Sequence, residues 1–111
     1  LGDRRARMLA RLSAIDGLEC AAPEGAFYIF ASVRGLIGRS TPQAKVLRTD
    51  TDVAEYLRET AGVVTIDGTS YGLSPFLRFS FATSMDEIEK GCDAIASSIA
   101  LLDRESVGEA A

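Results

Sequence analysis

The stretch Phe76-Leu77-Arg78-Phe79-Ser80-Phe81-Ala82-Thr83-Ser84 decides how the chain is read. Side chains alternate across a strand, so Leu77, Phe79 and Phe81 share one face. Phe76, Arg78, Ser80 and Ala82 share the other. The first is a core face. The second carries a single guanidinium in an otherwise nearly uncharged segment. Directly afterwards, Ser84-Met85-Asp86-Glu87 has the form of a capping box, with Ser84 as N-cap and Glu87 at the third helical position. A strand is expected to hand over to a helix just beyond the arginine.

Pattern leaves two readings of Arg78. A lone charge in a strand is commonly a solvated group on the wet face of an antiparallel sheet. Alternatively it is an anion receptor, because arginine presents a planar fork that meets a carboxylate with two parallel hydrogen bonds. A charged hydrogen bond of that kind contributes about 1.5–3 kcal/mol when water is excluded.

Outward from this strand, the signals agree on one plan. The final helix is expected from Met85 to about Leu102, with Ile88, Cys92, Ile95, Ile99 and Leu102 along one apolar face. Gly91 inside it costs roughly 1 kcal/mol against alanine and is expected to mark a close packing contact. Before the strand, residues 67–72 form a turn-rich loop closed by Ser74-Pro75, and residues 63–66 form a short strand. Asp50 or Thr51 is expected to cap a helix that buries Val53, Leu57 and Tyr56 and ends at Gly62. Acidic Asp50, Asp52 and Glu55 at its start are explained by the helix dipole alone.

Residues 26–30, Ala-Phe-Tyr-Ile-Phe, read as a central strand covered on both faces. Residues 35–49 form a long loop, of the kind that is functional, mobile or a surface excursion. Near the start, residues 3–15 read as a helix burying Met8, Leu9, Leu12 and Ile15, followed by Gly17 as a left-handed cap and a short strand over 18–22. Helix, strand, long loop, helix, strand, strand, helix makes an α+β domain, with helices layered on a small, largely antiparallel sheet.

Composition narrows the function. The chain has 111 residues, one domain at most, with 47% hydrophobic and 25% charged residues. A net charge of −4 argues against a nucleic-acid surface, and Arg4, Arg5, Arg7 and Arg11 read as the solvated face of one helix. Cys20 and Cys92 suit buried thiols of a reduced, cytoplasmic protein better than a disulfide or a metal site. Histidine is absent, which removes histidine-dependent triads and most zinc sites. No apolar run has the length of a membrane span. The chain opens on Leu1-Gly2-Asp3 without methionine, as expected of a piece of a longer protein.

Candidate chemistry is sparse. Gly68 and Gly72 match neither phosphate-loop nor dinucleotide spacing. Ser80 and Ser84 have no nearby base. Phe27, Tyr28 and Tyr71 suit either core or pocket wall. Only Lys45 and Lys90 are able to form an imine, and neither has the desolvated setting that makes an amine nucleophilic.

In order along the chain, Pro23-Glu24-Gly25-Ala26-Phe27-Tyr28, residues 52–62 running into Val63, Gly68-Thr69-Ser70-Tyr71-Gly72 and residues 77–84 resemble the carboxy-terminal small domain of class I aminotransferases. These are pyridoxal-phosphate enzymes of fold type I. Asp3-Arg4-Arg5 and Ile15-Asp16-Gly17-Leu18 resemble the family's approach to that domain. Gly35-Leu36-Ile37-Gly38, Thr41-Pro42 and Lys45-Val46 resemble, more narrowly, the bacterial aspartate aminotransferase branch. One position departs: the family often has proline where this chain has Asp67.

The resemblance implies a small domain over residues 1–104, a frayed tail over 105–111, and a large domain lying upstream of Leu1. It implies that Arg78 holds the α-carboxylate of the substrate, with Phe27 and Tyr28 as walls of the cleft. Catalytic residues, the imine lysine and the residues that bind pyridoxal phosphate would all belong to the large domain; no metal is implied. The implied reaction moves an amino group between an amino acid, such as aspartate, and a 2-oxo acid, in a cytoplasmic homodimer without nucleic-acid or membrane partners. The isolated chain would be inactive. Two alternatives stay open: the small domain of another fold-type-I enzyme such as a carbon–sulfur lyase, which could use the same arginine, and a stand-alone amino-acid-binding module.

Overall fold

The computed structural model describes residues 2–21, 28–80 and 84–103, and of Tyr71 the backbone only. Among them are the helices α1 (Gly2–Ser13), α2 (Asp50–Ala61) and α3 (Met85–Ala100). The strands are β1 (Glu19–Ala21), β2 (Tyr28–Ser32), β3 (Ile66–Asp67) and β4 (Phe76–Ser80). They form one antiparallel sheet in the order β1-β2-β4-β3, which is the α+β class the alternating elements predict.

Pairing fixes which side chains share a face. Ile29 lies across from Phe79 and Ala31 from Leu77, and all four are almost wholly buried under the helices. The same core takes Met8 and Leu12 from α1, Val53, Tyr56 and Leu57 from α2, and Ile88, Cys92, Ile95 and Ile99 from α3. These are the helical faces expected from spacing. The Tyr56 hydroxyl, itself buried, donates to the Ser98 carbonyl at 2.6 Å, which joins α2 to α3 through a satisfied polar group.

The helix ends obey local chemistry. Ser84 accepts from the Glu87 amide at 3.2 Å and so caps α3 as its sequence predicts. Gly62 closes α2 in the left-handed conformation. The N-cap of α2 is Thr49, whose hydroxyl accepts from the Asp52 amide at 3.2 Å, one residue earlier than expected. α1 stops at Ser13, leaving Ile15 half-buried beyond it and Gly17 in the following turn.

Three further expectations need correcting. β2 is central, but among the described residues it is covered on one side only: Ile29 and Ala31 are buried while Tyr28, Phe30 and Ser32 are half-buried. All the helices packed on it share one layer, so an apolar strand does not imply two covers. Residues 35–49 are not a loose loop, for Leu36 and Leu47 enter the core and Ser40 bridges to both Val46 and Asp103. Gly91 marks no close approach: among the described residues, a Cβ there meets nothing within 4 Å.

The arginines of α1 are also not simply solvated. Arg7 pairs with Glu89 at 2.5 Å, and Arg11 pairs with Glu89 and, at 2.5 Å, with Asp93. Pairing to Arg7 and then Arg11 holds the Glu89 carboxyl below its ordinary range. Cys92 is buried and Cys20 half-buried, both as free thiols, and burial pushes both up. No helix among the described residues is long and apolar enough to cross a membrane.

Candidate functional site

Arg78 sits in the middle of β4, with β2 on one side and β3 on the other. Its register partners are Phe30 and Ile66. Parity therefore puts Arg78 on the face opposite Leu77 and Phe79, together with Phe76, Ser80, Tyr28, Phe30 and Ile66. Among the described residues, this is the face on which the helices do not pack.

The guanidinium is half-buried and stacked. Its carbon lies 5.0 Å from the centroid of the Tyr28 ring, the diagonal neighbour across the β2–β4 pair. A cation over an aromatic face is attracted by about 0.5–2 kcal/mol depending on exposure. Tyr28 in turn meets Phe30 edge to face, with centroids 5.2 Å apart and planes at 82°. Tyr28, the expected wall residue, thus lies beside the arginine. Phe27 lies outside the described residues, as does Phe81.

Sequence reasoning missed Phe30. It faces Arg78 directly across the sheet, and the two-residue alternation from Tyr28 was enough to find it. A strand that reads as apolar on both sides hides which of its residues border the arginine.

Asp50 does more than its place in the first turn of a helix implies. Its side chain is fully buried in the first turn of α2. Oδ2 accepts from the Thr69 amide at 3.1 Å and the Phe76 amide at 3.2 Å, while Oδ1 accepts from the Thr69 hydroxyl at 2.5 Å. The carboxylate thereby joins the start of α2, the loop before β4, and the first residue of β4. Nothing in its sequence setting distinguishes it from the dipole-favoured Asp52, whose Oδ2 accepts only the local Arg48 amide at 2.9 Å.

The loop itself is a 3₁₀ turn over Gly68–Tyr71. Only glycine fits at its start, because a Cβ on Gly68 would lie 2.9 Å from the Phe76 carbonyl oxygen and closer still to that of Leu73. Asp67, the position at which the chain departs from the pattern it resembles, accepts from the Thr51 hydroxyl at 2.5 Å and the Ser70 hydroxyl at 2.8 Å. Those hydroxyls hold its carboxyl below the usual range. Side-chain hydrogen bonds here fasten the loop to α2.

The two lysines lie apart from this face. Lys45 is exposed, with its ammonium 3.9 Å from Asp52, and Lys90 pairs with Asp86 at 3.0 Å one helical turn away. Among the described residues no cluster of acidic or thiol side chains has a metal-binding arrangement.

Comparison with known proteins agrees with this architecture. Residues 1–95 match the family model for aminotransferase class I and II. The chain is 47% identical over 94 residues to an aspartate aminotransferase of Rhizobium meliloti (strain 1021), covering 85% of this chain and 23% of that protein. It is 41% identical over 92 residues to a probable aspartate/prephenate aminotransferase of Rhizobium leguminosarum bv. phaseoli, again 23% of that protein's length and 83% of this chain. A crystal structure of the aspartate aminotransferase from Rhizobium meliloti superposes with a TM-score of 0.88 at 44% identity, over 92% of this chain and 26% of that one. The chain thus spans about a quarter of the length of the relatives it matches. With the match extending over most of its residues, and with the same fold in the solved relative, the chain belongs to the class I and II aminotransferase family.

Proposed function

We propose that this chain is the small domain of an aspartate-type aminotransferase and that Arg78 receives the α-carboxylate of the amino-acid and 2-oxo-acid substrates. The observation that carries this reading is the placement of Arg78. It lies on the sheet face that, among the described residues, has no helix packed on it, ringed by Tyr28, Phe30, Ile66 and Phe76. An apolar, aromatic surround strengthens a charged hydrogen bond by keeping water from it. Stacking on Tyr28 limits the swing of the guanidinium, so less freedom is lost when a carboxylate docks.

Pyridoxal phosphate, the cofactor the family implies, supplies an electron sink when bound. The described residues do not fit its attachment. Both lysines are exposed and ion-paired, whereas an imine-forming lysine needs a desolvated amine. We therefore assign cofactor binding and the chemical steps to the remainder of the protein, across the cleft from the Arg78 face, in a homodimer. This chain would bind and orient: with the carboxylate fixed, the α-hydrogen is presented in one direction, and that alignment lowers the barrier.

The test is Arg78→Lys in the full-length enzyme. Lysine keeps the charge but loses the two-pronged geometry, so kcat/KM for aspartate should fall about 10- to 100-fold. The absorbance of bound cofactor should be unchanged. Equal loss of cofactor, or unaltered kinetics, contradicts the assignment. Product analysis with aspartate and with cystathionine on the wild-type enzyme separates an aminotransferase from a carbon–sulfur lyase.

A further inference from the structure

We infer that Asp50 is the positioning residue of the carboxylate site, holding β4 in the register and at the depth that set where Arg78 presents its guanidinium. The inference rests on the reading of Arg78 given above and extends it to a residue that touches no substrate. Three observations support it.

Asp50 is fully buried, yet its three hydrogen-bond donors belong to the loop and strand that lead to Arg78 rather than to its own helix. Its donor at Phe76 is the first amide of β4, two residues before Arg78 and on the same face. Its donors at Thr69 lie in the 3₁₀ turn that Asp67 also fastens to Thr51 of α2. A carboxylate accepting several N–H and O–H groups away from water is a strong, directional anchor. Because both amides converge on one oxygen, displacement of the turn and of the strand are coupled through it. The start of α2 thereby becomes the reference point for the arginine.

The bonding pattern also predicts which substitution is tolerated. Asparagine at this position can place its carbonyl oxygen where Oδ2 receives both amides. Its NH₂ group would then donate to the Thr69 hydroxyl, which reverses direction. Alanine provides no acceptor and leaves the part-buried Thr69 and Phe76 amides without this partner.

The experiment compares Asp50→Ala, Asp50→Asn, Arg78→Ala and the Asp50→Ala/Arg78→Ala double variant in the full-length enzyme, reading KM, kcat and bound-cofactor absorbance. Asp50→Ala should raise KM for both amino acid and 2-oxo acid about 10- to 100-fold, with a smaller change in kcat and intact cofactor absorbance. Asp50→Asn should recover most of that loss. In the Arg78→Ala background, Asp50→Ala should add less than about threefold, because the group it positions is gone. A merely structural role would lower thermal stability without this KM effect, or would add its full effect in both backgrounds. Either result overturns the proposal. If Arg78→Ala itself leaves KM unchanged, the carboxylate reading fails; if Arg78→Ala raises KM and Asp50→Ala does not, only the positioning role fails. Should Asp50→Ala not fold, Thr69→Val, at an exposed site, removes a single bond to the same carboxylate. It should raise KM about threefold, and an unchanged KM would refute the inference.

Discussion

The two faces of the sheet are made from the same strands and differ in everything else. On the inner face Leu77, Phe79, Ile29 and Ala31 are at most 1% exposed and pack against the helices. On the outer face Phe76 and Ile66 are each 36% exposed, and Tyr28 and Phe30 are half-buried around the Arg78 guanidinium. Across the β2–β4 pair the inner face has only apolar groups, because its task is to exclude water. Around Arg78 the outer face sets a cation among apolar side chains, which wastes stability in an isolated domain and suits a surface completed by something else. Residues one step apart in β4 therefore serve different ends, stability for Leu77 and Phe79 and, in the function proposed above, binding for Arg78.

That contrast can be broken most forcefully by truncating one side chain on each face. Phe79→Ala should destabilise the 111-residue chain by about 3–5 kcal/mol in chemical denaturation, through lost burial and the cavity left behind. Phe76→Ala, three positions earlier and on the outer face, should cost about 1 kcal/mol or less. Comparable losses from both would mean that the outer face is also part of the core.

A smaller effect sharpens the contrast from the helical side, where charge fastens α1 to α3 over the inner face. Glu89 has its carboxyl held below the ordinary 4.5 by Arg7 and then Arg11, and Asp67 is likewise lowered from 3.8 by Thr51 and Ser70. A carboxyl whose folded value lies below its unfolded one binds fewer protons in the native state. Its contribution is complete above the unfolded value and is lost as the pH falls through the folded one. Denaturation midpoints should therefore be level near neutrality and decline below about pH 4.5. Glu89→Gln should make that decline shallower. Because Glu89 is 32% exposed, the change should be small, and added salt should reduce it further.

Much of this fold is legible from local rules, and the failures have a common cause. Ser84 announces α3 because a cap and its acceptor lie within one turn, and Gly62 ends α2 for an equally local reason. Leu77 and Phe79 declare their face by alternation alone. Asp50 does not reveal itself, since its partners Thr69 and Phe76 are 19 and 26 residues away. The one-sided cover of β2 was illegible because an apolar Tyr28 or Phe30 looks alike whether it meets a helix or borders a binding face. Arg78 stands between these cases. Its face could be read from the strand, its stacking on Tyr28 required the β2–β4 register, and its proposed role was suggested by family resemblance.

The central claim, that the outer face exists to present Arg78 to a carboxylate, is tested most directly by a crystal structure of the full-length enzyme with an unreactive dicarboxylate analogue of aspartate. The account predicts two parallel hydrogen bonds of about 2.7–2.9 Å from the Arg78 guanidinium to one carboxylate of the analogue, with Tyr28 still stacked against it. An analogue bound with neither carboxylate on Arg78 would contradict it.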